Sequence, residues 1–388
     1  MRSVAAVCLV FLLVGSPSSA QTTRVETIAA QQAEKATKLG AEGPSDAELV
    51  VRRVLLSPLL SGGGGIYPWF GSVFGGSGIS VGVGYLKRLE KAASFNVLGG
   101  ISLNQSTLFE TRLAAPQLWR VKLRVDAEAS RTDAREVAFH GFGPGASQVR
   151  VQYDYQPTEL TGHVTLRPVK RLAFSGGYSF LNITTTSDAP GLIEAIGRGL
   201  GDDLRYNVTR AAVTYDWRTA PGYSTRGGFY RATWERYNET SSRPYSFDLH
   251  EYEVSQLVPL VREQFVLAAR GLVTLTSTET GREVPVMLSP FLGSGSTLRG
   301  FATRRFTDRN RVLVTGEYRW RPSRYLDMAL FVDAGQVAAD KHQFRTGDFE
   351  TDWGIGARFH GPLFTAIRVE VARGREGVNL VFAGSQIF

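Results

Sequence analysis

The chain has 388 residues, 44 Lys and Arg against 36 Asp and Glu, a formal net charge of +8 and one cysteine, Cys8. So little cysteine excludes a disulfide-stapled scaffold, and no stretch reaches the ~18 consecutive apolar residues of a membrane-spanning helix. What is left is a soluble β-rich domain or a membrane barrel. In either case the basic balance suits anionic lipid headgroups or lipopolysaccharide better than nucleic acid.

In chain order, residues 1–20 read as a secretory signal peptide. Arg2 gives the positive start, 4–15 the apolar run, and Ser18, Ser19 and Ala20 a small-residue cleavage site before Gln21. Cys8 lies inside it, so the exported chain carries no thiol, as suits a bacterial envelope. Residues 21–65 are expected to form a periplasmic tail or plug with two short helices. One is ended by Gly40; the other is capped by Ser45 or Asp46. The stretch "SGGGGIYPWFGSVFGGSG", with Tyr67, Trp69 and Phe70, reads as the aromatic-marked entrance to a first strand. Residues 66–388 are then the outer-membrane β-barrel.

From about 77 to 388 the pattern is a period of two, the mark of strands. In "LWRVKLRVDAEA", Trp119, Val121, Leu123, Val125 and Ala127 share one face, and Arg120, Lys122, Arg124, Asp126 and Glu128 the other. Further on, Ala211, Val213, Tyr215 and Trp217 line up, as do Tyr230, Ala232 and Trp234, and Phe265, Leu267, Ala269, Gly271, Val273 and Leu275. Tight connections at 168–171, 321–324 and 361–363 alternate with long polar ones at 183–206, 277–310 and 339–349. Aromatics near strand ends, with short turns on one side and long loops on the other, define a transmembrane antiparallel β-barrel. The segmentation gives sixteen strands. Fourteen is the alternative, if 93–114 and 147–168 are each one tall strand.

The loop "GSGSTLRGF" brings Leu298, Arg299, Gly300 and Phe301. In "RVLVTGEYRW" the apolar face is Val312, Val314, Gly316, Tyr318 and Trp320, which turns Glu317 inward. In "LDMALFVDAGQV" the same logic turns Asp333 inward. If the loop folds back into the lumen, Arg299 can bridge Glu317 and Asp333 with forked hydrogen bonds. The competing reading leaves Arg299 solvated and the carboxylates lining a wet pore.

"STLRGF", "GEYRW", "FVDAG" and a five-strand tail ending in phenylalanine resemble the barrel of the BamA/TamA outer-membrane assembly and translocation family. The resemblance implies a lumenal Arg299 loop with Glu317 and Asp333 as its carboxylate partners. It makes Gly300, Phe301, Phe331 and Gly335 motif neighbours. "FHGFGPGAS" (139–147) is similar to the aromatic-x-Gly-x-Gly loop of surface-antigen-type members, with His140 where tyrosine is usual. Residues 21–65 leave no room for a polypeptide-transport-associated domain. The alternating strand "VNLVFAGSQIF", with Phe382 and Phe388, resembles a C-terminal assembly signal read by the barrel assembly machinery.

No chemistry of catalysis is legible. His140, His163, His250, His342 and His360 have no metal-ligand spacing, no G-x-S-x-G elbow occurs, and neither glycine-rich loop carries the lysine of a phosphate loop. A non-enzymatic protein without metal or cofactor is expected. It would either aid polypeptide insertion or translocation, with client polypeptides as partners, or serve as a passive channel or surface antigen.

Overall fold

A computed structural model describes residues 64–388 except 90–92, 119–121, 146–149, 188–190, 192–195, 221, 262, 324, 362–364 and 384–388. The expected signal peptide, the helices of 21–65, Trp119 to Val121 and Phe388 lie outside the described residues.

One sheet holds sixteen strands, paired in chain order and antiparallel throughout. They are β1 (Gly65–Gly71), β2 (Ser80–Leu89), β3 (Ala93–Ser102), β4 (Thr107–Leu118), β5 (Leu123–Phe139), β6 (Val151–Val169), β7 (Leu172–Thr186) and β8 (Leu204–Asp216), then β9 (Gly227–Glu239), β10 (Phe247–Val261) and β11 (Phe265–Ser277). A two-stranded pair, β12 (Phe291–Leu292) and β13 (Phe306–Thr307), lies within the long loop that follows. The sheet resumes with β14 (Asn310–Ser323), β15 (Leu326–Ala338), β16 (Glu350–His360), β17 (Thr365–Gly374) and β18 (Gly377–Ala383). The result is a nearly closed antiparallel barrel.

The count is sixteen for a mixed reason. Residues 93–114 form a hairpin, β3–β4, whose turn is tied by Ser106 Oγ donating to Asn104 Oδ1 (2.9 Å) and by the Ser106 amide donating to Ser102 Oγ (3.0 Å). Residues 151–169 form one tall strand despite Pro157, which pairs opposite Ile183. The balance is restored because 65–71 is a strand rather than an entrance. The "LWRVKLRVDAEA" segment likewise spans a turn: Leu118 ends β4 and Leu123 begins β5. Beyond that turn the alternation holds as far as Ala134. A bulge between Ala134 and Val137, with Glu136 at φ 57°, then shifts the inward set by one residue.

The outer wall is apolar. Val83, Phe109, Leu160, Phe180, Val254, Leu330, Trp353 and Ile355 are all exposed, a belt that water would penalise and acyl chains accommodate. Tyr215 and Tyr230, and Phe265, Tyr318 and Trp320, form rows of adjacent rings at the strand ends carrying the tight turns. Trp217, grouped with the outer face by alternation, instead lies past the end of β8 and lines a cavity inside.

The inner wall is polar except toward the long loops, where it is filled. Phe139, Tyr153, Ile183, Leu204, Tyr206 and Phe247 pack against Val284, Val286 and Met287 of the loop 278–309. A second cluster joins Leu272, Leu313 and Val337 of the wall to Leu292, Leu298, Phe301 and Phe306 of the same loop. Each fully buried Leu or Phe contributes about 1.5–3 kcal/mol, so the loop is held in by its own apolar residues.

At the sheet's start, Tyr67 and Trp69 of β1 point inward over glycines. A Cβ at Gly84 would fall within the Tyr67 ring, and one at Gly100 would come 2.7 Å from Trp69 Cζ3. Tyr67 also donates to Asn96 Oδ1 at 2.8 Å. Gly84 on β2 and Gly100 on β3 thus give the β1 rings a floor.

Candidate functional site: an arginine lock in the lumen

Arg299 is fully buried. Nε and Nη2 donate to the two Asp333 oxygens at 2.7 and 2.9 Å, a forked pair. Nη1 donates to Glu317 at 2.9 Å and to Glu370 at 3.1 Å. The guanidinium lies 3.3 Å from the centroid of the Phe331 ring, whose own place depends on Gly354 directly across the β15–β16 ladder. The structure thus brings Arg299, Glu317, Asp333 and Phe331 together.

Backbone and apolar anchors set the loop at this depth. Leu298 and Phe301 are buried on either side of Arg299. A Cβ on Gly300 would come 2.6 Å from both Asp352 Cβ and the Gly374 nitrogen, so only glycine lets the loop lie this close to β16 and β17. Gly335 makes room for Leu292: a Cβ there would come 2.8 Å from the Leu292 side chain. Asn379 Nδ2 donates to the Arg299 carbonyl at 2.8 Å, and Arg368 Nη2 to the Gly295 carbonyl at 2.7 Å, tying the loop to β18 and β17. Arg305 forks onto Glu376 in the β17–β18 turn at 2.9 and 2.8 Å.

The network extends beyond the residues read from sequence. Glu317 also accepts from Arg319 at 2.8 Å and from Arg358 at 2.7 Å, and Glu370 from Arg358 at 3.1 Å and Arg368 at 2.8 Å. Asp352 is buried opposite Asp333 in the β15–β16 ladder. Four guanidinium groups (Arg299, Arg319, Arg358, Arg368) therefore surround Glu317, Asp333 and Glu370 in one buried region, with Asp352 beside them but in no ion pair among the described residues. Mutual pairing is what allows these ions to leave water, because an unpaired buried charge is far more costly than a paired one. The inward positions of "AIRVEVARG", Arg368, Glu370 and Ala372, carried the signal for Glu370: alternation alone turns it to the lumen.

The 139–147 loop meets the arginine loop from the other side. Phe142 bridges in parallel to Thr307, and the Gly143 amide donates to the Thr307 carbonyl at 3.0 Å. Gly141 and Gly143 adopt φ of 102° and 84°, which explains glycine at both. His140 is buried, and desolvation, with Arg305 and Arg150 nearby, holds its imidazole below the ordinary pKa. Phe382 faces outward on β18. Among the described residues no group of three His, Cys, Asp or Glu can hold a metal ion. The lock offers ionic and hydrogen-bonded fastening.

An apolar outer belt, a sixteen-strand ladder and an inserted cationic loop define an outer-membrane β-barrel fastened from within. The Omp85 superfamily domain matches residues 79–377, and the chain belongs to that superfamily, whose barrels sit in the bacterial outer membrane. Among solved structures it is similar to BamA from Haemophilus ducreyi lacking POTRA domains 1-3, with a TM-score of 0.63, 16% identity, 82% of this chain and 69% of that one. It is also similar to CdiB from Escherichia coli (TM-score 0.56, 12% identity, 78% of this chain, 58% of that one) and to CdiB from Acinetobacter baumannii (0.52, 10%, 82%, 58%). The chain thus spans well under two thirds of either CdiB. No curated protein matches it.

Proposed function

We propose that this barrel aids polypeptide insertion or translocation at the outer membrane, with the free edge of β1 as the place where a client strand adds. The two ends of the sheet carry this reading: among the described residues β1 pairs only with β2, and β18 only with β17. An unpaired edge presents N–H and C=O groups ready to bond, and strand addition recognises a client through its main chain, tolerating many sequences. Pro68, which has no N–H, sits in this outermost strand, the place where sheets tolerate proline. The Tyr67 and Trp69 rings hold β1 to its own sheet without occupying its outer edge. The Arg299 lock keeps the loop seated beside the last strands. Client outer-membrane polypeptides, lipid and lipopolysaccharide are the partners on this reading, and the barrel assembly machinery inserts the protein itself. A passive channel is less well supported, because apolar residues fill the lumen toward the long loops.

The test is client folding in liposomes with and without the purified barrel, with a photo-crosslinking residue at Phe70 on β1 or at Phe174 on β7, both exposed outward. Faster client folding, with capture at Phe70 and not at Phe174, is expected. No acceleration together with a stable open pore would remove the reading.

A further inference from the structure

The tight-turn end of the lumen holds a cavity of about 630 Å³ beneath β6 to β9, and its charge is one-sided. Arg167, Lys170, Arg171 and Arg231 line it, all exposed, and none has an ion-pair partner among the described residues. Elsewhere the lumen pairs its arginines: Arg210 with Glu159 and Glu235, Arg270 with Glu253, Arg311 with Glu251, Arg124 with Asp126. Asp216 is the acid of the cavity, and Arg218 already takes it with bonds of 3.0 and 2.8 Å while lying 4.5 Å over the Phe229 ring. The remaining wall is partly apolar, with Leu172, Trp217 and Phe229.

We infer that this vestibule binds an acidic, partly apolar polypeptide segment entering from the periplasmic side. Four unpaired cations in one concave site focus a positive potential and draw an anion. Guanidinium forks fit carboxylates and phosphates alike. The apolar wall decides between them: a small phosphate has no use for it, whereas a peptide carrying acidic and apolar side chains covers both surfaces. The volume lies within the range of sites that enclose small ligands, enough for a short stretch of chain. The inference rests on the polypeptide-handling reading above and adds a second contact, inside the barrel, to the strand edge in its wall.

The experiment uses the full barrel in lipid nanodiscs and the fluorescence anisotropy of a labelled peptide of repeating Glu-Glu-Leu. A Lys-Lys-Leu peptide and inorganic pyrophosphate as competitor form the other arms. The acidic peptide is expected to bind, more weakly as salt rises, and Arg167→Glu with Arg171→Glu to weaken it about tenfold or more. Arg167→Lys with Arg171→Lys should keep most of the binding, and Lys170→Glu alone serves should the double reversal not fold. Equal binding by the reversed barrel, or of the Lys-Lys-Leu peptide by the native one, overturns the inference. So does pyrophosphate that binds as tightly as the peptide and displaces it completely. Accelerated client folding without peptide binding would remove the vestibule and leave the proposed function standing; peptide binding without acceleration would do the opposite.

Discussion

Replacing Arg299 with alanine tests whether the lock holds the barrel or only decorates it. The cost follows from who is left alone. Glu317 retains Arg319 and Arg358, and Glu370 retains Arg358 and Arg368. Asp333 loses both of its short bonds and has no other guanidinium among the described residues, with the buried Asp352 beside it. Removing one partner of a buried pair costs about 3–5 kcal/mol, and the lost stacking on Phe331 acts in the same direction. Arg299→Ala should therefore lower stability by about 3–5 kcal/mol, and Arg299→Lys by less, since lysine keeps the charge but not the fork. The double variant Arg299→Ala/Asp333→Ala should be more stable than the two single losses added together, with a coupling of about 0.5–3 kcal/mol, because the orphaned carboxylate is gone. Urea unfolding of the barrel in vesicles, followed by tryptophan emission and by heat-stable migration on gels, measures all of these. An Arg299→Ala barrel within about 0.5 kcal/mol of the native one, or strictly additive single losses, would refute the reasoning.

Two further outcomes follow from the packing and a third from the C-terminal sequence. Gly354→Val should destabilise by about 1–3 kcal/mol, because any Cβ there collides with the Phe331 ring and the Val371 carbonyl; thermal unfolding of the folded gel band reads it. Phe306→Ala empties a fully buried site of the apolar cluster beside the Phe301 ring and should cost about 3–5 kcal/mol, with faster proteolysis of the 278–309 loop as a second readout. Deleting Phe388 should slow membrane insertion in cells while refolding in detergent proceeds normally. Equal slowing in both would mean that the last residue serves stability instead of recognition.

Alternation made the barrel legible because one wall faces lipid and the other faces polar groups, so a two-residue period survives along most strands. It therefore turned Glu317 and Asp333 inward. The same rule applied to "AIRVEVARG" turns Arg368 and Glu370 inward too, but nothing in the spacing says that β14 to β17 meet around one point. That convergence is a property of sheet curvature, and it sets the size of the ionic network. The stretch 147–168 reads as a hairpin or as one tall strand, and β6 runs straight through it. Trp217 was misassigned because alternation carries no information on where a strand stops.

Besides the Arg299–Glu370 and Arg305–Glu376 ion pairs, the loop is joined to the terminal hairpin by contacts of a different kind from those that join it to β14 and β15. Asn379 and Arg368 grip the carbonyl oxygens of residues 299, 301 and 295, groups that every amino acid supplies. Substituting Arg299 thus unfastens one side while the other keeps its grip, leaving the loop hinged on β17 and β18. The two fasteners also answer to different perturbations. Charge at Asp333 and Glu317 governs the first; the second persists through any change of side chain along 295–301 that leaves the chain's path intact.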